Sequence, residues 1–481
     1  MHSNPSDSVD WTTVEGHGVD ELFDSMPDLE QQDAERARKE RWWWPAGFAE
    51  WFALGLTFLP AILYLPNSQP YRLPARIGAY GISVVAFTLW WFDRGGRKDT
   101  RHPAERFLTL AGFLLAAMIL HPGTASPLAG AAHFVLYFAI FCPIFWVPAY
   151  ITSRRRLIRV LAVILLCNGI NSLVGVLQVY DPDRWMPKQL SSLYTGESGA
   201  NALAAATYMG PNGRPIVRPP GLFDTPGAVC SAGTLATVLG LIFFLEPIPW
   251  WRRLPALAMA VFGMAAIYLS HVRASFVVTL GMMGFYVFLM TMQKQPKRAA
   301  SFTALGTAIV VGSLSLAVLL GGESVQDRFM TLLADDPRTT YYQSRGAQVE
   351  YAFTDLVEHY PFGAGLARWG MAAFYFGSDV PLDDEATFAE VQPNAWIIDG
   401  GFPLLLLYMA ALIGTVAFDL KLIRTLCDPA DKLLASIVVA TNFGTLFFVL
   451  TFVPFGTAAG MQFWFLEGAL HGALNGRPRT E

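Results

Sequence analysis

The chain has 481 residues, of which 53% are hydrophobic and only 15% are charged, and its mean hydropathy is positive. This composition excludes an ordinary soluble domain, in which about 25% of residues are charged. The formal net charge of −4 gives no sign of a nucleic-acid partner. We therefore expect an integral membrane protein.

The N-terminal segment differs from the rest of the chain. Its first 35 residues hold ten carboxylates and no Lys or Arg, and they lack the basic start and apolar core of a signal peptide. A basic, tryptophan-rich run, Arg36–Trp44, follows and is typical of an interfacial anchor. Residues 1–45 are therefore predicted to be a disordered acidic cytoplasmic tail with its anchor. A regulatory docking role for the tail is an alternative.

Twelve apolar segments are long enough, at about 20 residues each, to be candidate bilayer spans. They predict an all-α, polytopic membrane protein with nine helices in residues 46–321 and three in residues 396–481, before a short cytoplasmic C-terminus. The third and twelfth segments are short or interrupted. Residues 322–395 are polar and are expected to form a large, mainly helical loop. The segments begin near Ala46, Leu73, Phe107, Pro127, Leu157, Gly227, Leu254, Ala274, Ala299, Trp396, Leu433 and Thr457.

The distribution of basic residues predicts the orientation. With the N-terminus inside, 23 of the 34 Lys and Arg residues fall on the inner side and 11 on the outer side. Positive charge near span ends is retained in the cytoplasm. Both termini are thus expected inside, and the large loop outside. In a bacterium this corresponds to the inner membrane and the periplasm.

Several functional classes find no support in the motifs. The sequence has no P-loop, HExxH, GxSxG or dinucleotide fingerprint, which disfavours an ATP-driven pump or a soluble-type hydrolase. Its cysteines fall in spans or in a cytoplasmic loop, so no disulfide framework or thiolate zinc site is expected. There is no strong internal repeat, and the spans hold few charges beyond Asp399 and Glu467 near their ends. Both points disfavour a transporter. The cysteines are Cys142, Cys167, Cys230 and Cys427.

The arginines on the outer side carry the strongest chemical signal. Arg218 lies in VRPPGLFDTPGA, an irregular segment rich in proline and glycine before the sixth span, and Arg273 lies in the tight turn LSHVRASF. Arg345 begins a predicted amphipathic helix that ends at Pro361. Guanidinium groups bind phosphate oxygens well, so a lipid-linked diphosphate is a suitable ligand. Alternatively, each arginine pairs with a nearby carboxylate or extends to the interface.

The apolar face of that helix is predicted from three- and four-residue spacing. It comprises Val349, Ala352, Phe353 and Leu356.

These motifs resemble, in order and spacing, those of the O-antigen ligase and polymerase superfamily, which includes exopolysaccharide polymerases. Members of this superfamily share three motifs. The first is RxxGxF before one span, and the second is a short turn between two later spans that ends in SR or a variant. The third is a helix of the large loop that begins with arginine and is followed by Pro-x-Gly-x-Gly. The resemblance covers roughly residues 157–407. The matching elements here are Arg218-Pro-Pro-Gly221-Leu-Phe223-Asp-Thr-Pro226, Val272-Arg273-Ala-Ser275, and Arg345 followed by His359-Tyr-Pro361-Phe-Gly363-Ala-Gly365.

The chain departs from the family at one position. Many members carry His-Asn after the large loop, where this chain has Pro393-Asn394. In ligases of the family that histidine is a candidate catalytic residue. Its replacement by proline disfavours a typical lipopolysaccharide ligase. It also leaves the identity of the catalytic base undetermined.

The resemblance implies an inverting glycan transfer from an undecaprenyl-diphosphate-linked donor to a glycan or lipid acceptor, with no cofactor and no metal. It implies catalytic roles for Arg218, Arg345 and His359. It also implies substrate-binding roles for Arg273, Asn394, Gly221, Gly363 and Gly365. Membrane lipids and other polysaccharide assembly proteins are the further expected partners. Alternative bases are His271, Asp224 and Asp399.

Three functions stay open at this stage. The first is a polymerase of lipid-linked repeat units, the second a ligase that transfers a finished chain to lipid A-core or another acceptor, and the third a transporter or flippase of lipid-linked sugars. The acidic run Asp383-Asp384-Glu385 can supply oxygen ligands to a divalent metal. Consecutive carboxylates on a loop are also simply solvated.

Overall fold

The computed structural model of the protein describes residues 47–65, 71–93, 101–188, 190, 202–209, 215–223, 225–334, 336–377 and 389–475. Within these ranges the chain forms a bundle of α-helices and one short β-hairpin. The acidic tail, Asp224 and the run Asp383-Asp384-Glu385 lie outside the described residues.

The described ranges contain twenty α-helices and two β-strands. The first half comprises α1 Phe48–Phe58, α2 Arg72–Asp93, α3 Pro103–Met118, α4 Pro127–Phe141, α5 Pro143–Tyr150, α6 Arg154–Tyr180, α7 Pro182–Trp185, α8 Ala202–Ala206, β1 Thr207–Met209 and β2 Pro215–Val217. The second half comprises α9 Val229–Leu245, α10 Trp250–Leu269, α11 Arg273–Met292, α12 Pro296–Gly321, α13 Glu323–Ala334, α14 Pro337–Tyr341, α15 Ala347–Tyr351, α16 Val357–His359, α17 Gly370–Phe376, α18 Gln392–Thr425, α19 Pro429–Phe448 and α20 Ala458–Leu474.

The membrane-protein prediction is confirmed in its general form. Among the described residues, eight helical segments are long and apolar enough to cross a membrane, and α4 and α5 together form one of them. Two shorter apolar helices, Phe48–Ile62 and Val229–Leu245, accompany them. Helices α3 and α20, with 16 and 17 residues, are also shorter than a typical span. The number of twelve spans therefore stays a prediction.

The β-hairpin is a departure from a purely helical fold. Strand β1 pairs antiparallel with β2, and Tyr208 faces Ile216 in the register. The strands have three residues each and leave the helical class unchanged.

Local sequence explains where the helices begin. Proline occupies the first turn of several of them, where its fixed φ fits the helix and its missing N–H is not needed. Side chains of Ser126, Ser153 and Thr457 accept backbone N–H groups of the first turns of α4, α6 and α20. These signals place the helix starts even where the surrounding sequence is apolar throughout.

Small residues let α9 and α10 pack backbone against backbone. A Cβ added at Gly233 would lie 2.5 Å from the carbonyl oxygen of Gly263, and one at Gly263 would lie 2.7 Å from that of Gly233. Membrane helices use such small residues to approach closely, because dispersion contacts replace the hydrophobic effect there. The pair holds the start of α9, which follows the Arg218 segment, close to the end of α10.

Helices α11 and α19 are antiparallel neighbours. The rings of Phe285 and Phe443 stack at 4.3 Å, and Gln293 donates a hydrogen bond to Ser436 Oγ at 2.6 Å. This register puts Arg273, at the start of α11, level with the residues that follow α19. We call this end of the bundle, with residues 270–272, 323–334, 336–377, 389–391 and 449–457, the loop end. The opposite end, with residues 293–295 and 426–428, is the far end.

The helix that contains Arg345 differs in detail from its prediction. It runs from Pro337 to His359 and includes two π-helical turns, Tyr342–Gly346 and Ala352–Leu356. Ala352 and Leu356 are buried as expected, but Phe353 is 54% exposed, so its placement on the apolar face was wrong. A π-helical turn adds a residue to the helical period and rotates the following side chains.

The spans hold one carboxylate that was overlooked in the sequence. Asp419 is buried in α18, as are Asp399 in the same helix and Glu467 in α20. Asp419 lies in a long apolar stretch of sequence, so this single carboxylate scarcely lowers the mean hydropathy of the span.

The orientation can be tested by labelling single cysteines with a membrane-impermeant maleimide. Gln343→Cys, in a chain with Cys230→Ser and Cys427→Ser, introduces an exposed thiol at the loop end. We expect it to react in intact cells. Native Cys427, exposed at the far end, is the matched control and is expected to react only after permeabilisation, because Cys142 and Cys167 are buried. Labelling of Cys427 alone in intact cells would reverse the orientation.

Candidate functional site

The segment after Arg218 is fastened to α6 by side-chain amides. The N–H of Gly221 donates to Gln178 Oε1 at 2.9 Å, and Gln178 Nε2 donates to the carbonyl of Gly221 at 2.8 Å. The N–H of Leu222 donates to Asn171 Oδ1 at 2.7 Å. Gly221 has a φ of 65°, which favours glycine. Its backbone groups are therefore engaged in holding the segment, and the structure gives Gly221 a positioning role.

Arg218 lies at the turn between α10 and α11. Its Nε donates to the carbonyl oxygen of Ser270 at 3.3 Å, and its guanidinium carbon lies 6.0 Å from the centre of the Tyr208 ring. The side chain is half-buried, and no carboxylate of the described residues pairs with it. The described residues thus offer the five N–H donors of its guanidinium no carboxylate partner.

His271 lies in the same turn. It has a φ of 58°, a conformation that non-glycine residues seldom adopt, and it is buried against Tyr208 at a ring distance of 6.2 Å. Its Nδ1 has no hydrogen-bond partner in the described ranges. Burial, followed by the positive charges of Arg328 and Arg218, lowers the pKa of His271 to about 4. The imidazole is therefore neutral at physiological pH.

Arg273 connects the turn to α13. Its Nη1 donates to Thr331 Oγ1 at 2.9 Å, so α13 lies beside the turn and brings Arg328 to it. We call Arg218, His271, Arg273 and Arg328, with Tyr208, the arginine cluster. Sequence reasoning singled out Arg218 and Arg273 but gave Arg328 no role, because only the fold of α13 brings it to the turn.

Arg345 has a different environment from Arg218. It forms an ion pair with Glu390, and its Nε donates to the carbonyl oxygen of Thr451 at 3.3 Å. Gln348 donates to the same Glu390 carboxylate at 2.8 Å. The alternative of an arginine paired with a nearby carboxylate thus describes Arg345. Thr451 follows α19, so Arg345 lies at the loop end, at the level of Arg273.

The structure does not join His359 to the arginine cluster. The ring is exposed, and its Nδ1 lies 2.8 Å from the carbonyl oxygen of Asp355 in its own helix. Asn394 is buried in the first turn of α18, and its Oδ1 has no partner among the residues that the structure describes. Neighbouring Gln392 accepts the N–H of Phe455 at 2.8 Å. The substrate-binding role of Asn394 stays a prediction.

Gly363 and Gly365 lie in a stretch, residues 361–369, that enters the bundle. Their φ values are 99° and 108°, and a Cβ on Gly365 would lie 2.4 Å from the backbone of Gly123. The N–H of Ala364 donates to the carbonyl of Ile398 at 2.7 Å. The two glycines are needed because the backbone turns and passes close to two helix ends. Their substrate-binding role stays a prediction.

The carboxylate of Asp399 holds this entering segment. It accepts the hydroxyl of Tyr137 at 2.7 Å and the indole N–H of Trp369 at 3.0 Å. His133 Nδ1 accepts the N–H of Ala367 at 2.9 Å, so its Nε2 carries the proton and faces Asp399 at 3.6 Å. We call this group of four side chains the Asp399 latch. Asp399 is fully buried and already accepts these donors, which argues against its use as a base.

Neither comparison with known proteins identifies a relative. No protein-family model matches the chain, and no curated protein matches it. Within the described ranges no group of three or more His, Cys, Asp and Glu side chains is placed to hold a metal ion.

The pKa of His271 predicts a pH dependence of stability. A neutral imidazole in the folded state and a protonated one in the unfolded state make the unfolded chain bind more protons between about pH 4 and about pH 6.5. Stability from this group is therefore complete above that window and is lost as the pH falls through it. We expect the melting temperature of the His271→Gln variant to change less with pH in this window than that of the wild type. His359→Gln, at an exposed ring, is the control, and equal profiles for wild type and His271→Gln would contradict the assignment.

The Asp399 latch predicts exposure of Arg368 when it is broken. Asp399→Ala leaves the Tyr137 hydroxyl and the Trp369 indole N–H without acceptors, at a cost of about 1–3 kcal/mol for each buried group. We expect faster tryptic cleavage after Arg368 in the detergent-solubilised variant, measured by mass spectrometry. Asp355→Ala, at an exposed carboxylate of α15–α16, should leave the cleavage rate unchanged. Unchanged cleavage in Asp399→Ala would show that other contacts hold residues 361–369.

Proposed function

We propose that the protein is a membrane glycosyltransferase that transfers a glycan from an undecaprenyl-diphosphate carrier at the loop end. The observation that carries this proposal is the arginine cluster, in which Arg218, Arg273 and Arg328 meet around one turn beside a neutral histidine. The resemblance to the O-antigen ligase and polymerase superfamily supports it.

The cluster suits a diphosphate leaving group. Negative charge builds on the diphosphate when the sugar–phosphate bond breaks, and fixed guanidinium donors stabilise that charge more than the ground state. Arg218 supplies most of this stabilisation in the proposal, because no described carboxylate neutralises it. Arg345 contributes only when its pair with Glu390 opens or when the pair binds sugar hydroxyls.

His271 is the base that the geometry favours. Its ring is neutral and lies in the electrostatic field of Arg328 and Arg218, and Nδ1 has no partner in the described part of the chain. A neutral imidazole nitrogen can take the proton of the attacking hydroxyl. His359 is the alternative base, supported by its place in the motif rather than by contacts.

The two candidate glycan transferases, a polymerase and a ligase, differ in their acceptor. A polymerase joins repeat units on the lipid carrier, and a ligase moves the finished chain to lipid A-core or another acceptor. The proline at position 393, where many ligases of the resembling family carry histidine, favours the polymerase.

Transport of lipid-linked sugars is the second candidate. The buried carboxylates Asp419 and Glu467 favour it, because ionisable groups inside a bundle are typical of transport pathways. The arginine cluster, at the surface of the bundle rather than at its centre, favours transfer chemistry.

Glycan lengths in cells test the proposal. In Arg218→Ala we expect about a hundredfold less transfer, as for the loss of one charge-stabilising donor. Arg218→Lys keeps the charge but loses the planar fork, and we expect it to recover only part of the activity. Arg338→Ala, at an exposed arginine of the same end, is the matched control and should behave as wild type. The lipid-linked and surface glycans are sized for each variant.

The outcomes separate the candidates. Donors halted at one repeat unit, with long polymer missing, support a polymerase, and full-length chains left on the lipid carrier support a ligase. Donor that accumulates on the cytoplasmic side supports transport. Unchanged glycan pools in Arg218→Ala, with the protein present in normal amounts, would contradict all three.

A further inference from the structure

Two buried carboxylates face each other away from the loop end. Asp419 on α18 and Glu467 on α20 are within hydrogen-bonding reach of each other. Asn442 on α19 donates from Nδ2 to Glu467 Oε1 at 2.5 Å. Asp419 Oδ1 and Glu467 Oε2 accept no hydrogen bond from any described residue. A hydrogen-bond donor is therefore missing for Asp419 Oδ1 and Glu467 Oε2.

No cation compensates the pair in the part of the chain that the structure describes. Lys421, two residues after Asp419, is exposed, and Asp431 on α19 lies beside Arg154 at 3.5 Å. Two adjacent carboxylates in apolar surroundings cannot both be ionised, because each charge disfavours the other and burial disfavours both. A single shared proton supplies the missing donor and removes one charge.

Two histidines connect the pair with the far end. His471 lies one helical turn after Glu467 on α20, and His102 caps the start of α3. Their ring centres are 5.4 Å apart, and both rings contact Phe418, the residue before Asp419. Both histidines are buried. The four titratable side chains thus form a continuous run from the far end into the bundle.

The histidines are suited to passing a proton rather than storing it. Burial, followed by the neighbouring His471, lowers the pKa of His102 to about 3. His102 Nδ1 accepts the N–H of Ala104 at 3.2 Å, so the ring proton resides on Nε2. A neutral imidazole has one donor and one acceptor nitrogen and can relay a proton.

We infer that Asp419 and Glu467 form a proton-binding site that is loaded from the far end through His102 and His471. Its ligand is a proton, and the site is separate from the arginine cluster. Asp399 and Asp419 both belong to α18 but lie on opposite sides of a break in the helix at Gly400 and Gly401, so the pair is also separate from the Asp399 latch. The inference does not depend on the proposed glycan transfer.

Infrared difference spectroscopy of the full-length protein in lipid nanodiscs tests the site. We expect the wild type minus Asp419→Asn/Glu467→Gln spectrum at pH 7 to contain the C=O stretching band of one protonated carboxylic acid. Asp336→Asn, at an exposed helix cap, is the control and should leave that band unchanged. Labelling of the wild type with ¹³C-aspartate or ¹³C-glutamate shows which residue type carries the proton. Asp419→Asn and Glu467→Gln, tested singly, then assign the band to the pair, so the test does not require the double variant to fold.

Transfer into D₂O tests the loading path. The band shifts when the carboxylic proton exchanges, and we expect a slower shift in His102→Phe/His471→Phe than in the wild type. The absence of a carboxylic acid band at pH 7 would overturn the proton site. Loss of the band on addition of Na⁺ at constant pH would make it a cation site instead, and an equally fast shift in the double histidine variant would overturn the path. None of these readouts involves glycan transfer, so this inference and the proposed function fail independently.

Discussion

Satisfying the backbone of irregular segments inside an apolar bundle is the constraint on which the loop end depends. A membrane offers no water to unpaired N–H and C=O groups, so non-helical chain persists there only when the protein supplies partners. Residues 219–222 find them in the amides of Asn171 and Gln178. Residues 361–369 find them in Ile398, Thr124 and His133. These buried polar side chains explain why two stretches rich in proline and glycine have definite positions.

This fastening places the charged groups. With residues 219–222 held against α6, Arg218 reaches the carbonyl of Ser270, and α13 brings Arg328 to the same turn. His271 lies in this turn in a conformation that costs energy for a non-glycine residue. The resulting concentration of positive charge around a neutral imidazole is the basis of the proposed diphosphate chemistry. Arg345, paired with Glu390, belongs to the same end but has a neutralised charge.

The buried acidic residues give the bundle a second chemical feature. Asp399 near the loop end accepts hydrogen bonds from Tyr137 and Trp369 and serves the fold, whereas Asp419 and Glu467 oppose each other with one donor missing. The same residue type on the same helix α18 thus has two different roles, and the number of nearby donors decides between them. The buried pair Asp419 and Glu467 is typical of a transport pathway, whereas the arginine cluster favours the proposed glycan transfer.

Sequence reasoning recognised the features that are local in the chain. Apolar length predicts helices, and proline with glycine predicts the irregular segments around Arg218 and Pro361, because propensity and periodicity act over a few residues. It misplaced Phe353, because π-helical turns shift the helical period by tertiary packing. It overlooked Asp419, because one carboxylate scarcely changes the apolar average of a span.

By itself the sequence determined the helical membrane class, the position of the polar stretch between spans and the identity of the arginines. Only the tertiary structure decided which of those arginines is paired, that Arg328 joins Arg218 at the His271 turn, and that Asp399 holds residues 361–369. The physical reason is separation along the chain. These contacts join residues that are far apart in sequence, and their geometry follows from how the helices pack and not from any local pattern.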